Sequence, residues 1–388
     1  MPLPRMFLAD PSLSGHSGHC FEYLAALAPA ACARGYEPVY LGNRNVANDL
    51  RTTHNVVPAF THWCDARYGT PERTRRLHES DLTRELLDVS RRFAVTSNDL
   101  FLLNTLRHWS IRGVVDWLES LPDGNCPLVA LVLHFTAFPD PAKSDGTVEF
   151  YRHAFARIAR SPVRDRIRLL ADSESLIDEY RAIAPGLSFV LAPIPHVRKA
   201  ETRERSTPAY TVGCVGEARE NKGFHLLPRL VRKANEAHLP GVEFHLHAFS
   251  HDPTSEFLRR ALSGLRHTTV TLYSDVMPAE QYERFVASLD LVVLPYTLDN
   301  YHAQTSGVFA EAMGNGSLVV APKGSWMARQ LSEFGGGASF NPGDAEDFAR
   351  VTMRVIQERD RFTEGRADRT NRWREFHNAE RLLSLVCA

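Results

Sequence analysis

Short apolar runs alternate with stretches whose apolar residues return at helical spacing, and this alternation predicts most of the chain's elements. Met6, Phe7 and Leu8 open a strand, DPSLSGHSGH is a loop, Cys20 to Ala33 has helical periodicity closed by Gly35, and Val39 to Leu41 resume a strand. This is a βαβ start, and a glycine-containing loop after a first strand is where open α/β sheets bind ligands. Val46 to Arg92 is polar and irregular, which predicts helices and a mobile loop. Asp99 to Leu103 then reads as a strand, Trp109 to Leu121 as a helix, and Leu128 to Leu133 as a fully apolar strand ending at His134. A helix over Gly146 to Arg160, a strand at Arg168 to Ala171, a helix over Ser173 to Ile183 and a strand at Phe189 to Ala192 complete a parallel sheet wound on both sides.

The run HVRKAETRERSTPAY has no apolar period and reads as a linker. A second α/β unit follows at once. Tyr210 to Val215 is a strand, and GEARENKGFHLLPRL turns into an amphipathic helix carrying Leu226, Leu227 and Leu230. Strands at Val242 to His247 and Val270 to Tyr273, a helix at Ala279 to Ser288 and a strand at Leu291 to Leu294 lead to PYTLDNYHAQTSGVFAEAMGNGSLVVAP. Beyond it come a helix from Ser325 to Glu333, a turn FGGGASF, a helix from Asp344 to Arg359 and one long helix reaching Val386. A chain of 388 residues, 44% hydrophobic, exceeds one ordinary core and predicts two domains.

Composition narrows the classes. The net charge of −1, with basic residues spread along the chain, gives no footprint for nucleic acid, although a local basic patch for peripheral membrane contact stays open. Neither a signal peptide nor an apolar run of about 18 residues is visible, so the expected location is cytoplasmic. Cys20, Cys32, Cys64, Cys126, Cys214 and Cys387 form no C-x-x-C pair and read as buried or idle thiols. His16 and His19 lie in a loop without a third ligand, and no D-x-D pair occurs, so no metal is expected.

The chemistry concentrates after Pro295. Ser306 is a natural N-cap, Val308, Phe309, Ala312 and Met313 form an apolar stripe, and Gly314 and Gly316 stop the helix before the strand Leu318 to Val320. The free N–H groups and positive dipole end of such a helix form an anion site. Glu311 lies roughly 7 Å further along the axis at about 1.5 Å per residue, where a carboxylate can accept from vicinal hydroxyls. Phosphate and ribose at those two places describe a nucleotide diphosphate; an ordinary capped helix with a solvated Glu has the same spacing.

The stretch S-G-V-F-A-E-A-M-G-N-G-S-L-V-V-A-P resembles the C-terminal signature of the E-x7-E glycosyltransferases, the retaining, family 4-like group 1 enzymes that use nucleotide-diphosphate sugars. The resemblance implies an α/β GT-B fold, two Rossmann-like doubly wound domains facing a central cleft. The expected domains are an acceptor-binding one over 1–200, with a helix at 372–388 packing back on it, and a donor-binding one over 208–371. It implies donor contacts from Thr305, Ser306, Gly307 and Val308 at the helix start, and from Glu311 to the ribose. Ala303 stands where the family has its first Glu, so Tyr301 and Gln304 are the polar candidates beside the sugar. G-E-A-R-E-N-K-G-F resembles the family's loop with a basic pair: Lys222 matches its lysine, while Glu217 stands at its arginine and Arg219 is a displaced substitute. Gly18 falls on the N-terminal glycine loop near the donor phosphates or the acceptor, and His134 on a histidine close to the transferred sugar. The implied reaction retains configuration, needs no cofactor beyond the nucleotide-diphosphate sugar, and glycosylates a glycan, lipid-linked or small-molecule acceptor. A nucleotide-sugar epimerase of the same fold and a catalytically silent nucleotide-sugar-binding protein remain alternatives.

Overall fold

The computed structural model describes residues 3–16, 19–139, 146–196, 209–249 and 254–387. The chain divides into two compact units, Met1–His196 with His377–Ala388, and Val197–Phe376.

In the first unit the elements are β1 (Arg5–Ala9), α1 (His19–Ala33), β2 (Glu37–Asn43), α2 (Asn48–Thr53), β3 (Val57–Phe60), α3 (Pro71–Phe93), β4 (Leu100–Leu103), α4 (Ile111–Glu119), β5 (Leu128–Leu133), α5 (Thr147–Arg160), β6 (Ile167–Ala171), α6 (Glu174–Ile183) and β7 (Phe189–Leu191). All strands pair in parallel in the order β3-β2-β1-β4-β5-β6-β7. Central strands of such a sheet are covered on both faces, and accordingly Leu100–Leu103 and Val129–Leu133 are buried throughout.

The second unit runs β8 (Tyr210–Glu217), α7 (Leu227–Glu236), β9 (Val242–Phe249), α8 (Thr254–Ala261), β10 (Thr269–Tyr273), α9 (Ala279–Ser288), β11 (Leu291–Val293), α10 (Leu298–Tyr301), α11 (Gly307–Gly314), β12 (Leu318–Pro322), α12 (Trp326–Phe334), β13 (Gly337–Phe340), α13 (Ala345–Gln357), α14 (Arg359–Thr363) and α15 (Arg366–Phe376). Its sheet is also parallel, ordered β10-β9-β8-β11-β12-β13. The chain then returns to the first unit as α16 (Ala379–Cys387), whose Leu382, Leu383 and Val386 share a core with Leu24 and Leu27 of α1. Arg34, the residue after α1, also bonds the carboxylate of Glu380.

Several expectations need correction. The single closing helix over 372–388 is two helices, broken at His377 and Asn378, and Trp373 packs within the second unit against Phe309, Trp326 and Phe334. The region before Arg92, expected to hold helices and a loop, does contain the long helix α3, started by Thr70 accepting from the Arg73 N–H and by Pro71 in the first turn, but also the unforeseen strand β3. The glycine-rich FGGGASF is not all turn, since β13 begins at Gly337, where a Cβ would meet the Val319 carbonyl oxygen at 1.9 Å. The helix α8 was not foreseen.

Candidate functional site

The strand order of the second unit reverses between β8 and β11, and open α/β sheets bind ligands outside the carboxyl ends of strands at such a reversal. The loops leaving those strands are tied together. The Thr297 N–H donates to the Asn221 carbonyl at 2.9 Å. Gly223, at φ +64°, lies so close to Pro295 that a Cβ would sit 1.8 Å from its carbonyl oxygen.

Lys222 is held within this junction. Its Nζ lies 5.7 Å from the centroid of the Tyr296 ring, and a Cβ on Gly216 would meet that Nζ at 2.8 Å. Burial, helped by the like charge of Arg219, pushes the ammonium below the usual lysine range, while Cys214 and Glu217 act the other way. Among the described residues Nζ has no hydrogen-bond acceptor and no carboxylate within ion-pair distance. Arg219 differs: its exposed guanidinium is bonded to the Glu217 carboxylate, with Nε at 2.7 Å, so Glu217, where the resemblance implies an arginine, offsets the charge of Arg219.

The start of α11 faces the same junction. Ser306 is extended at φ −131° and its Oγ accepts from the Phe309 N–H at 3.3 Å, which leaves the N–H groups of the first turn outside the helical ladder. Gly307 and Val308, and Thr305 before the cap, are partly buried. Aromatic packing fixes the helix, with Phe309 against Trp326 and Trp373 at centroid distances of 5.3 and 5.7 Å and the Trp373 Nε1 donating to the Ala310 carbonyl at 3.0 Å. Tyr296, which the sequence did not single out, links these groups. Burial pushes its hydroxyl far above the tyrosine range, reinforced by Tyr301, Cys214 and the Glu311 carboxylate and opposed by a hydrogen bond with Ser306. Tyr301 packs on the Tyr296 ring at 4.5 Å, and burial raises its hydroxyl too, with Arg219 opposing. Thus Lys222, Tyr301, Ser306 and Glu311 all surround one ring. Gln304 is partly buried on the same loop, and Ala303 is fully buried, so a methyl group stands where the resemblance implies a carboxylate.

In the first unit the order reverses between β1 and β4, and there the polar residues after four strands are joined. Asp10, buried after β1, accepts from Thr105 Oγ1 at 2.5 Å, Asn104 Nδ2 at 3.0 Å and the Ser12 N–H at 2.8 Å. Burial raises its pKa and these bonds, with Cys20, oppose the rise. Asn104 Oδ1 lies 2.6 Å from His134 Nε2, and His134 Nδ1 lies 2.7 Å from Asp172 Oδ2. Asp10, Asn104 and Asp172 were missed, although each is a polar residue directly following an apolar strand. Gly18 lies outside the described residues. His16 pairs with Asp49 at 2.9 Å, and among the described residues no group of His, Cys, Asp and Glu converges as metal ligands do. Nor is any described helix long and apolar enough to cross a membrane.

Residues 209–358 match the family described as glycosyl transferases group 1. The whole chain has the fold of solved GT-B glycosyltransferases. Sucrose-phosphate synthase from Thermosynechococcus elongatus superposes at TM-score 0.69 and 14% identity, over 99% of this chain and 96% of that one. Anabaena HepE, solved in complex with UDP, gives 0.68 and 13%, over 99% and 97%. The catalytic domain of starch synthase IV from Arabidopsis thaliana, bound to ADP and acarbose, gives 0.62 and 13%, over 100% of each chain. No curated protein matches the chain in sequence.

Proposed function

We propose, from the match of residues 209–358 to the glycosyl transferases of group 1, that the protein moves a sugar from a nucleoside diphosphate sugar to an acceptor hydroxyl, with retention and without a metal ion. Lys222 carries the proposal. A partly buried ammonium lacking any described acceptor, beside the start of α11 at a strand-order reversal, is complementary to a diphosphate. The glycosidic bond from C1 to the β-phosphate oxygen breaks, and its electron pair stays on the phosphate. Lys222 and the N–H groups after Ser306 meet that growing charge, which stabilises the transition state more than the ground state. The acceptor oxygen bonds C1 on the face the phosphate leaves, and the acceptor's proton passes to a phosphate oxygen. Glu311 accepts from the ribose hydroxyls. His134 has a positioning role; a sugar hydroxyl reaching its Nε2 exchanges with the Asn104 oxygen now 2.6 Å away. Two structural relatives were solved with UDP and ADP respectively, which supports nucleotides of this kind as donors' carriers.

A thermal-shift panel of UDP, GDP, ADP and dTDP with their sugars tests the reading. One nucleotide at 100 times its Kd should stabilise the protein by about 2.7 kcal/mol. The shift should shrink in Glu311→Gln, and turnover should survive EDTA. No shift with any nucleotide defeats the reading, and activity lost to chelation and restored by magnesium or manganese defeats its metal-free part.

A further inference from the structure

The loop between β4 and α4 presents a cation that the donor chemistry does not use. Thr105 is a β-branched residue at φ +51°, a conformation that persists only where surroundings enforce it, and its hydroxyl is bonded to buried Asp10. Two residues on, the Arg107 guanidinium lies over the Phe135 ring at 3.9 Å and 5.7 Å from the Trp109 ring. Other part-buried arginines of this unit, such as Arg5, Arg75 and Arg157, bond carboxylates. Arg107 does not: among the described residues it has no ion pair, and its Nε is buried without an acceptor. The carboxylate of this neighbourhood, Glu179, is bonded to Thr136 Oγ1 and the Ala137 N–H, both at 2.8 Å. A buried N–H normally has an acceptor, and an anion beside the partly buried guanidinium would supply one to Nε. Stacking on Phe135 fixes the guanidinium plane, which pre-organises its fork for paired oxygens. The Arg67 guanidinium also lies over the Trp109 ring at 5.6 Å, and a phosphate offers the Arg107 fork paired oxygens together with a second negative charge that a carboxylate lacks.

We propose that Arg107 recognises a phosphate monoester on a saccharide acceptor. The inference rests on the transferase reading, because that reading places the transferred sugar, and so the acceptor that attacks its C1, near His134, the residue preceding Phe135 at the carboxyl end of β5. Exposed aromatic faces of Trp63 and Phe138, on loops after β3 and β5, supply platforms for sugar rings.

The test is calorimetric titration of the full chain with hexose and pentose phosphates, their parent sugars and inorganic phosphate. At least one sugar phosphate should bind about tenfold or more tightly than its parent sugar and than inorganic phosphate. Arg107→Gln should abolish that preference, and Arg107→Lys should retain part of it while reporting that the loop still folds. Binding of the nucleotides of the thermal-shift panel should be the same in all three proteins. Equal binding of sugars and sugar phosphates overturns the inference, as does a preference that survives Arg107→Gln or inorganic phosphate binding as tightly as any sugar phosphate. In each of those cases retained nucleotide binding leaves the donor reading standing, and loss of nucleotide binding in the unaltered chain defeats that reading instead.

Discussion

Lys222 is charged in a place that an uncharged side chain would occupy more stably. Its folded pKa lies below 10.5, so between that value and 10.5 the unfolded chain holds a proton the folded chain has lost. Stability therefore rises with pH across that window, and at neutral pH the buried charge is a net burden. Lys222→Met should raise the melting temperature at pH 7, with the gain shrinking as the pH nears 10, while turnover falls by about 100-fold or more. Scanning calorimetry beside a donor-turnover assay reads both. A lower melting temperature at pH 7 would show that the ammonium stabilises the fold after all.

Among elements, the junction of the loops after β8 and β11 depends on one close approach. Gly223 and Gly365 share φ +64°, but a Cβ at Gly365 meets nothing within 4 Å whereas one at Gly223 would strike Pro295. Gly365→Ala should cost about 1 kcal/mol from backbone strain alone. Gly223→Ala should cost more and also weaken nucleotide binding, since Lys222 is its neighbour; equal melting temperatures and unchanged affinity would mean the loops are not coupled. The same elements show what could be read beforehand. Cap, apolar stripe and stop glycines made α11 and β12 legible to within a residue or two. β3 was missed because VPAF is short and contains a proline, and β13 because its glycine reads as a turn until the Val319 backbone is seen against it. The link from Asp10 through Asn104 and His134 to Asp172 could not be read, because only the order β1-β4-β5-β6 brings those strand ends together.

For the molecule as a whole, acid sensitivity concentrates at buried neutral histidines. His377 is pushed down to about 3, first by burial and then by His196, with Asp172 opposing, and burial pushes His78 down to about 4. Each folded pKa is depressed, so below pH 6.5 the unfolded chain gains protons that the folded chain refuses, and stability falls as the pH drops. One such histidine accounts for about 2 kcal/mol between pH 7 and pH 5. His377→Asn, which keeps an acceptor for the Ile194 N–H, should flatten that slope in urea melts; an unchanged slope would assign the sensitivity elsewhere.

That same bond, 3.0 Å from the Ile194 N–H to His377 Nδ1, joins the point where the chain leaves the first unit to the point where it returns. Leu382, Leu383 and Val386 complete the core around α1, but a ribosome delivers them only after residues 197–376. Among the described residues the core of the inserted unit runs from Val212 through Ile356, with Trp373 buried against Phe309 and Trp326. A nascent chain that has reached Phe376 thus contains every core residue of the second unit while the first, begun earlier, still lacks a wall, so the order of completion inverts the order of synthesis.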